Sequence, residues 1–177
     1  AFEFLDTDDI VPPGYTEIKC HMNFEVKFDL RRKARYVAGG HLTNVPAHMT
    51  YSSVVSRESI CITFFLAALN DIDILACDIQ NAYLNEPTEE KLWFIAGDKF
   101  GANKGKKVLI VRALYGLKGS GRAWRNHLGD KLQNVLGFKS SLADPDVWYK
   151  PMTKSNGDKY YCYLLVYVDD VLIIHEK

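Results

Sequence analysis

The chain has 177 residues, 47% of them hydrophobic, 25% charged and 12% aromatic, the composition of an ordinary globular domain with enough length to bury a core. Lysine plus arginine number 22 and aspartate plus glutamate number 22, so the formal net charge at pH 7 is zero. These figures speak against a disordered chain, and no apolar run is long enough to cross a bilayer.

Taken in chain order, the first segment, "AFEFLDTDDIVPPG", is acidic and ends in a Pro-Pro-Gly turn. It reads as a tail or linker over residues 1–14. Alternating polarity predicts a strand over 18–28, turned back at "RRK" into a second strand, "ARYVAGG". "SRESICITFFLAALN" predicts a helix capped by Ser56. It is apolar nearly all round from Ile60 to Leu69, which predicts burial. "ILACDIQNAYL" reads as a strand with a polar middle, and "KLWFIAG" and "KVLIVRAL" as short strands around a basic loop. In "SGRAWRNHLGDKLQNVLG", Trp124, Leu128, Leu132 and Leu136 recur every four residues and predict an amphipathic helix stopped at Gly137. "DVWYK" is a short strand and "SNGD" a hairpin turn before the terminal hairpin. These elements predict an α+β fold, a sheet with helices packed on one face.

The zero net charge hides a pattern. Residues 71–90 carry six acidic residues and no basic one, whereas residues 99–131 carry nine basic residues and one acidic, Asp130. "KFDLRRKAR" adds five more cations. An acidic centre between basic surfaces is the field expected where cations meet polyanions, although a charge run taken alone is an ordinary solvated face. The cysteines (Cys20, Cys61, Cys77, Cys162) form no CxxC pair and fit neither a zinc site nor a disulfide framework. They predict a reduced, intracellular protein. His21, His41, His48, His127 and His175 show no ligand spacing, Trp124 reads as core, and Lys104, Lys106 and Lys107 read as a solvated loop.

The adjacent pair Asp169 and Asp170 interrupts an apolar hairpin. Neighbouring side chains on a strand point to opposite faces, so "VDDV" reads as the hairpin tip. Alone, the dipeptide is either an ordinary turn or half of a metal site. Asp78 sits in a second apolar run, where it is either paired with a buried arginine or the third carboxylate of one site. Three converging carboxylates would repel, and an all-oxygen ligand set that relieves the repulsion suits Mg²⁺ or Mn²⁺.

Four stretches carry a resemblance. "YVDD" between apolar strands resembles the catalytic hairpin of reverse transcriptases, and "CDIQNAYLN" resembles that family's other aspartate motif. "RALYGLKGSGRAW" and "RKARYVAGG" resemble motifs of copia-type retrotransposon enzymes. The motifs stand in the family's order and cover the chain from about Lys27 onward. The resemblance implies a right-hand polymerase palm with partial fingers: a fingers hairpin region over 15–50, and a palm over 51–177 with fingers elements interleaved. It implies RNA-directed DNA synthesis from deoxynucleoside triphosphates on a primed RNA or DNA template. Two Mg²⁺ ions, replaceable by Mn²⁺, would be held by Asp78, Asp169, Asp170 and the carbonyl of Ile79. Arg35 and Lys27, or Arg31 or Arg32 in place of Lys27, would reach the triphosphate, and Tyr115 falls at a nucleotide-contacting position. Lys118, Arg122 and Tyr167 would meet template or primer. Tyr83 matches the aromatic steric gate under the incoming sugar. On a strand rising about 3.3 Å per residue, its ring would lie up to roughly 16 Å past Asp78.

The chain departs from the copia pattern at "GSG", Gly119 to Gly121, two glycines expected to loosen that turn. It ends just after the catalytic hairpin, which implies a fragment of a polyprotein whose thumb, RNase H and integrase regions lie elsewhere. The expected location is a cytoplasmic virus-like particle or the nucleus, with no membrane partner. Three other readings are a structural protein that reuses the fold, a truncated, non-catalytic nucleic-acid-binding remnant, and another palm polymerase such as an RNA-dependent RNA polymerase. Tyr83 argues against the last.

Overall fold

The protein is described from a computed structural model over residues 1–6, 8–43 and 50–176; His48 lies outside the described residues. In chain order the strands are β1 (Phe2–Phe4), β2 (Thr16–Glu17), β3 (Cys20–Val26), β4 (Arg32–Ala38), β5 (Asp73–Asp78), β6 (Pro87–Ile95), β7 (Lys107–Arg112), β8 (Lys139–Ser140), β9 (Val147–Thr153), β10 (Lys159–Tyr167) and β11 (Asp170–His175). The α-helices are α1 (Arg57–Leu69) and α2 (Ser120–Asp130). With three sheets and few helices the chain is α+β.

These elements form two compact units, each discontinuous in sequence. The first takes Ala1–Tyr51 and Tyr83–Trp124; the second takes Ser52–Ala82 and Arg125–Lys177. The first unit has a four-stranded sheet in the order β1-β7-β6-β2 and the hairpin β3-β4. Its core is Ile18, Leu92, Phe94, Val108, Ile110, Leu114 and Leu117. The expected tail is not a tail at its start: Phe2–Phe4 pairs antiparallel with β7. Phe2 meets Tyr36, Phe94 and Phe100 edge-on, at 5.5–5.8 Å between ring centroids. Three apolar or aromatic contacts outweigh the acidic neighbours that suggested a linker. The expected strand over 18–28 is the shorter β3, and the chain turns back over residues 27–31, with Leu30 at φ 65°, so that Arg32 and Lys33 of "RRK" already belong to β4.

The second unit has the five-stranded sheet β5-β11-β10-β9-β8. Alternation divides its apolar side chains between two faces. Leu165 and Ile174 pack with Val55 and Ala67 on the face that α1 covers, whereas Leu164, Val166 and Val171 pack with Leu132 and Leu128 on the other. Helical segments therefore cover both faces, not one.

Helix α1 starts where expected. The Ser56 hydroxyl accepts from the Ser59 amide at 3.1 Å, and Glu58 favours the helix dipole in the first turn. Burial is the correction: only Thr63 and Ala67 are buried, and Ile62, Phe64, Phe65 and Leu69 are exposed. A straight helix can press one side against one sheet, so apolar residues all round do not make burial all round.

Helix α2 is also shorter than its repeat. At Lys131–Val135 the chain takes a π turn, with Leu136 N–H donating to the Lys131 carbonyl at 3.1 Å. The extra residue rotates the following side chain, so Leu132 is buried and Leu136 is exposed. Gly137, at φ 73°, ends the segment as the sequence predicts. Gly157, at φ 94°, closes the expected "SNGD" turn.

Candidate active site

The terminal hairpin has arms β10 and β11 paired antiparallel, with Tyr167 opposite Asp170. The tip is therefore only Val168 and Asp169, and Asp170 is already a strand residue. Val168 has φ 60°, a conformation normal for glycine and costly for a β-branched residue, by about 1–3 kcal/mol. Next to β11 lies β5, in antiparallel register that sets Asp170 directly opposite Asp78. Register partners share a face, with Cα atoms about 4.5–5.5 Å apart. The Ile79 amide donates to the Asp169 carbonyl at 2.8 Å and locks the turn to the end of β5.

Three of the predicted site residues thus come together at one end of one sheet, with Ile79 beside them. The carboxylates sit at the rim, not in the interior: Asp78 and Asp170 are exposed and Asp169 is half-buried. A cavity of about 430 Å³ opens below the pair, lined by Val55, Ile60, Ala76, Leu165 and Leu172, with Asp78, Asp170 and Tyr167 on its wall. Tyr167 shares the face of Asp170 and is 53% exposed.

The donor set is oxygen only, which fits a hard divalent cation better than zinc. As the side chains stand, no three His, Cys, Asp or Glu residues among the described residues are grouped closely enough to hold a metal ion. The fit therefore lies in donor chemistry and in the paired register of Asp78 and Asp170.

The first unit gathers the residues expected at the nucleotide. The Tyr83 and Tyr115 rings lie 5.0 Å apart at 58°, and the Arg35 guanidinium lies 5.5 Å from the Tyr115 centroid. Tyr115 is held by its backbone, its carbonyl accepting from the Ala38 amide at 2.8 Å. Arg35 also pairs with Glu25 at 2.7 Å. Tyr83 is not on the β5 strand as expected. The strand ends at Asp78, Asn81 takes φ 55°, and Tyr83 sits in the short 3₁₀ helix Ala82–Asn85. The reach computed along an extended strand does not apply. Lys27 is in the exposed β3-β4 turn. Lys118 donates to the Thr43 carbonyl at 2.6 Å, and Arg122 is half-buried.

The turn expected to be loose is braced. Gly119 N–H donates to Glu90 Oε1 at 3.0 Å, and Gly121 lies inside α2. The glycine that the fold requires there is Gly116, at φ 90°, where a Cβ would stand 2.1 Å from the Ala38 carbonyl oxygen.

One group escaped the sequence reading. Buried Asp146 pairs with Arg125 at 2.8 Å and accepts from the Ser53 hydroxyl. Asp144 accepts from the Ser56 amide at 2.9 Å and the Ser59 hydroxyl at 2.6 Å. Burial alone would raise its pKa, but the hydrogen bonds from Ser59, Ser56 and Asp146 together outweigh it and hold the carboxyl below its usual range. The signal was "DPD", two acids around a proline beside a strand.

Comparison with known proteins places the sequence in a family. Residues 11–177 match the family described as "Reverse transcriptase (RNA-dependent DNA polymerase)". The chain is 30% identical over 174 residues to the retrovirus-related Pol polyprotein from transposon TNT 1-94 of Nicotiana tabacum, covering 93% of this chain and 13% of that protein. It is 31% identical over 172 residues to the polyprotein from transposon RE2 of Arabidopsis thaliana (92% of this chain, 11% of that protein). For transposon RE1 of the same plant the figure is 32% over 179 residues (94% and 12%). The chain thus spans about an eighth of the length of these relatives. Both motifs that carry the aspartates fall inside the matched region, and the chain belongs to the reverse transcriptase family.

Proposed function

We propose that the chain is the fingers-and-palm portion of an RNA-directed DNA polymerase, extending a primer from deoxynucleoside triphosphates on an RNA or DNA template. The observation that carries the reading is the register of β5 and β11, which sets Asp78 opposite Asp170 with Asp169 in the adjoining turn. In this reaction the primer 3′-hydroxyl loses its proton, its oxygen bonds to the α-phosphorus, and pyrophosphate leaves. Divalent ions, when bound, supply charge neutralisation at the attacking and leaving oxygens.

The chain's own residues then have separate tasks. Asp78, Asp169 and Asp170, with the Ile79 carbonyl, hold the ions. Arg35 and Lys27 contact the triphosphate from the β3-β4 hairpin, and Tyr83 with Tyr115 forms the floor under the sugar. Tyr167 lies against the primer terminus or template, while Lys118 and Arg122 serve template phosphates. Such phosphate contacts make template binding salt-dependent and largely indifferent to sequence.

The test uses Mn²⁺ and melting. An ion that binds the folded chain raises its melting temperature. Wild type is expected to gain in millimolar Mn²⁺, and Asp78→Asn or Asp169→Asn to lose that gain. In a longer parent polyprotein, the same changes are expected to abolish primer extension. An Asn variant that gains as much as wild type would remove the three-aspartate site.

A further inference from the structure

The segment from Glu25 to Arg35 carries five cations and two carboxylates, and each carboxylate is matched to an arginine. Asp29 takes Arg31 within its own turn, at 2.6 Å from Nε and 2.6 Å from Nη2. The other pair is built differently. Arg35 stands opposite Asn23 in the ladder and Glu25 opposite Lys33, so the Glu25–Arg35 contact runs diagonally across one face. Its length is 2.7 Å, with Arg35 29% exposed and Glu25 52% exposed.

Arg35 is only partly satisfied there. Nη1 is on Glu25 and the guanidinium faces Tyr115, but Nε is buried and has no hydrogen-bond partner. A buried donor without an acceptor favours any ligand that brings oxygens to it. A guanidinium offers a planar fork that fits carboxylate and phosphate equally. Glu25 therefore occupies the same kind of contact that an incoming phosphate would make.

We propose that Glu25 is a specificity-determining competitor at Arg35, a carboxylate that holds the guanidinium over Tyr115 in the free protein and must be displaced by a triphosphate. This rests on the reading of Arg35 as a triphosphate contact. Glu25 does two things. It keeps Arg35 aligned with the ring when no nucleotide is present. It also opposes every anion that approaches, so that only a ligand with enough charge and oxygens replaces it.

The test is binding of inorganic tripolyphosphate to the 177-residue chain, by calorimetry at low salt, with the fold of each variant checked by circular dichroism. Glu25→Gln is expected to tighten binding about three- to tenfold, the range set by losing one exposed carboxylate beside a polyanion. Arg35→Ala is expected to weaken it, and Glu25→Gln/Arg35→Ala to bind no better than Arg35→Ala. Asp29→Asn controls for net charge and is expected to gain clearly less. No gain in Glu25→Gln, an equal gain in Asp29→Asn, or a gain that survives loss of Arg35 overturns the competition while leaving Arg35 as a phosphate contact if its own variant binds weakly. Unchanged binding by Arg35→Ala, or none by any chain, overturns the phosphate reading and the competition with it.

Discussion

Gly116 shows how little room one position can have. Its φ of 90° already suits glycine, and an added Cβ would meet the Ala38 carbonyl oxygen at 2.1 Å. Gly101 also has a positive φ, 55°, but nothing lies within 4 Å of its would-be Cβ. Gly116→Ala is therefore expected to cost more than about 2 kcal/mol, since backbone must move, and Gly101→Ala about 1 kcal/mol. Urea unfolding of both variants measures the difference, and equal losses would mean that crowding at Gly116 is relieved at no cost. Tyr83 is the second informative residue. Its ring is fixed against Tyr115 at 5.0 Å and sits in a 3₁₀ turn. If it lies under the sugar, it leaves a 2′-hydroxyl both crowded and unpaired. In a longer parent polyprotein, Tyr83→Val is expected to shrink the ratio of kcat/KM for dTTP over UTP by about tenfold or more, with dTTP incorporation falling modestly. A ratio that does not move assigns the ring to packing.

Among the elements, the start of α1 depends on a carboxylate from far along the chain. Asp144 accepts from the amide of Ser56 and from the Ser59 hydroxyl, across 88 and 85 residues. Its pKa is lowered in the fold. The stability it contributes is therefore fully present above the ordinary aspartate value of about 4 and is lost as pH falls through the lower folded value. Asp144→Asn is expected to lower stability at neutral pH and to flatten the acid limb of a stability–pH curve below about pH 5. An unaltered acid limb assigns the acid sensitivity to other carboxylates. This tie was hard to read in sequence because its two halves are far apart, whereas the cap itself was plain from Ser56. The same distinction explains other elements. The period of four located α2 but not the π turn that expels Leu136, because a bulge depends on what the next residues pack against. Apolar composition located α1 but not its exposed side, which depends on how many partners reach it. The apolar flanks of the aspartates marked strands, but local pattern left an ordinary turn open for Asp169 and Asp170 and an arginine partner open for Asp78. Only the resemblance grouped the three, and the pairing of β5 with β11 lay beyond local pattern.

For the molecule as a whole, the core of each unit is assembled from two separated stretches of chain. Ile110 in the first core and Ile174 in the second are 1% and 0% exposed. Each Ile→Ala change is expected to cost about 2–5 kcal/mol. The two cores share no residue, so the double variant is expected to lose the sum within about 0.5 kcal/mol. Chemical denaturation of the four chains tests this, and a large departure from additivity would show that the cores are energetically one.

The pairing of β5 with β11 also has a temporal side. The Cys77 thiol and the Val171 carbonyl that meet across these strands are 94 residues apart. At a synthesis rate of about 5–20 residues per second, β5 waits roughly 5–20 s for its partner to be made. During that interval Val55, Ile60 and Ala67 lack the Leu165 and Ile174 side chains against which they pack. Emergence from the ribosome is then a stage at which apolar surface that the finished fold covers stands open to aggregation.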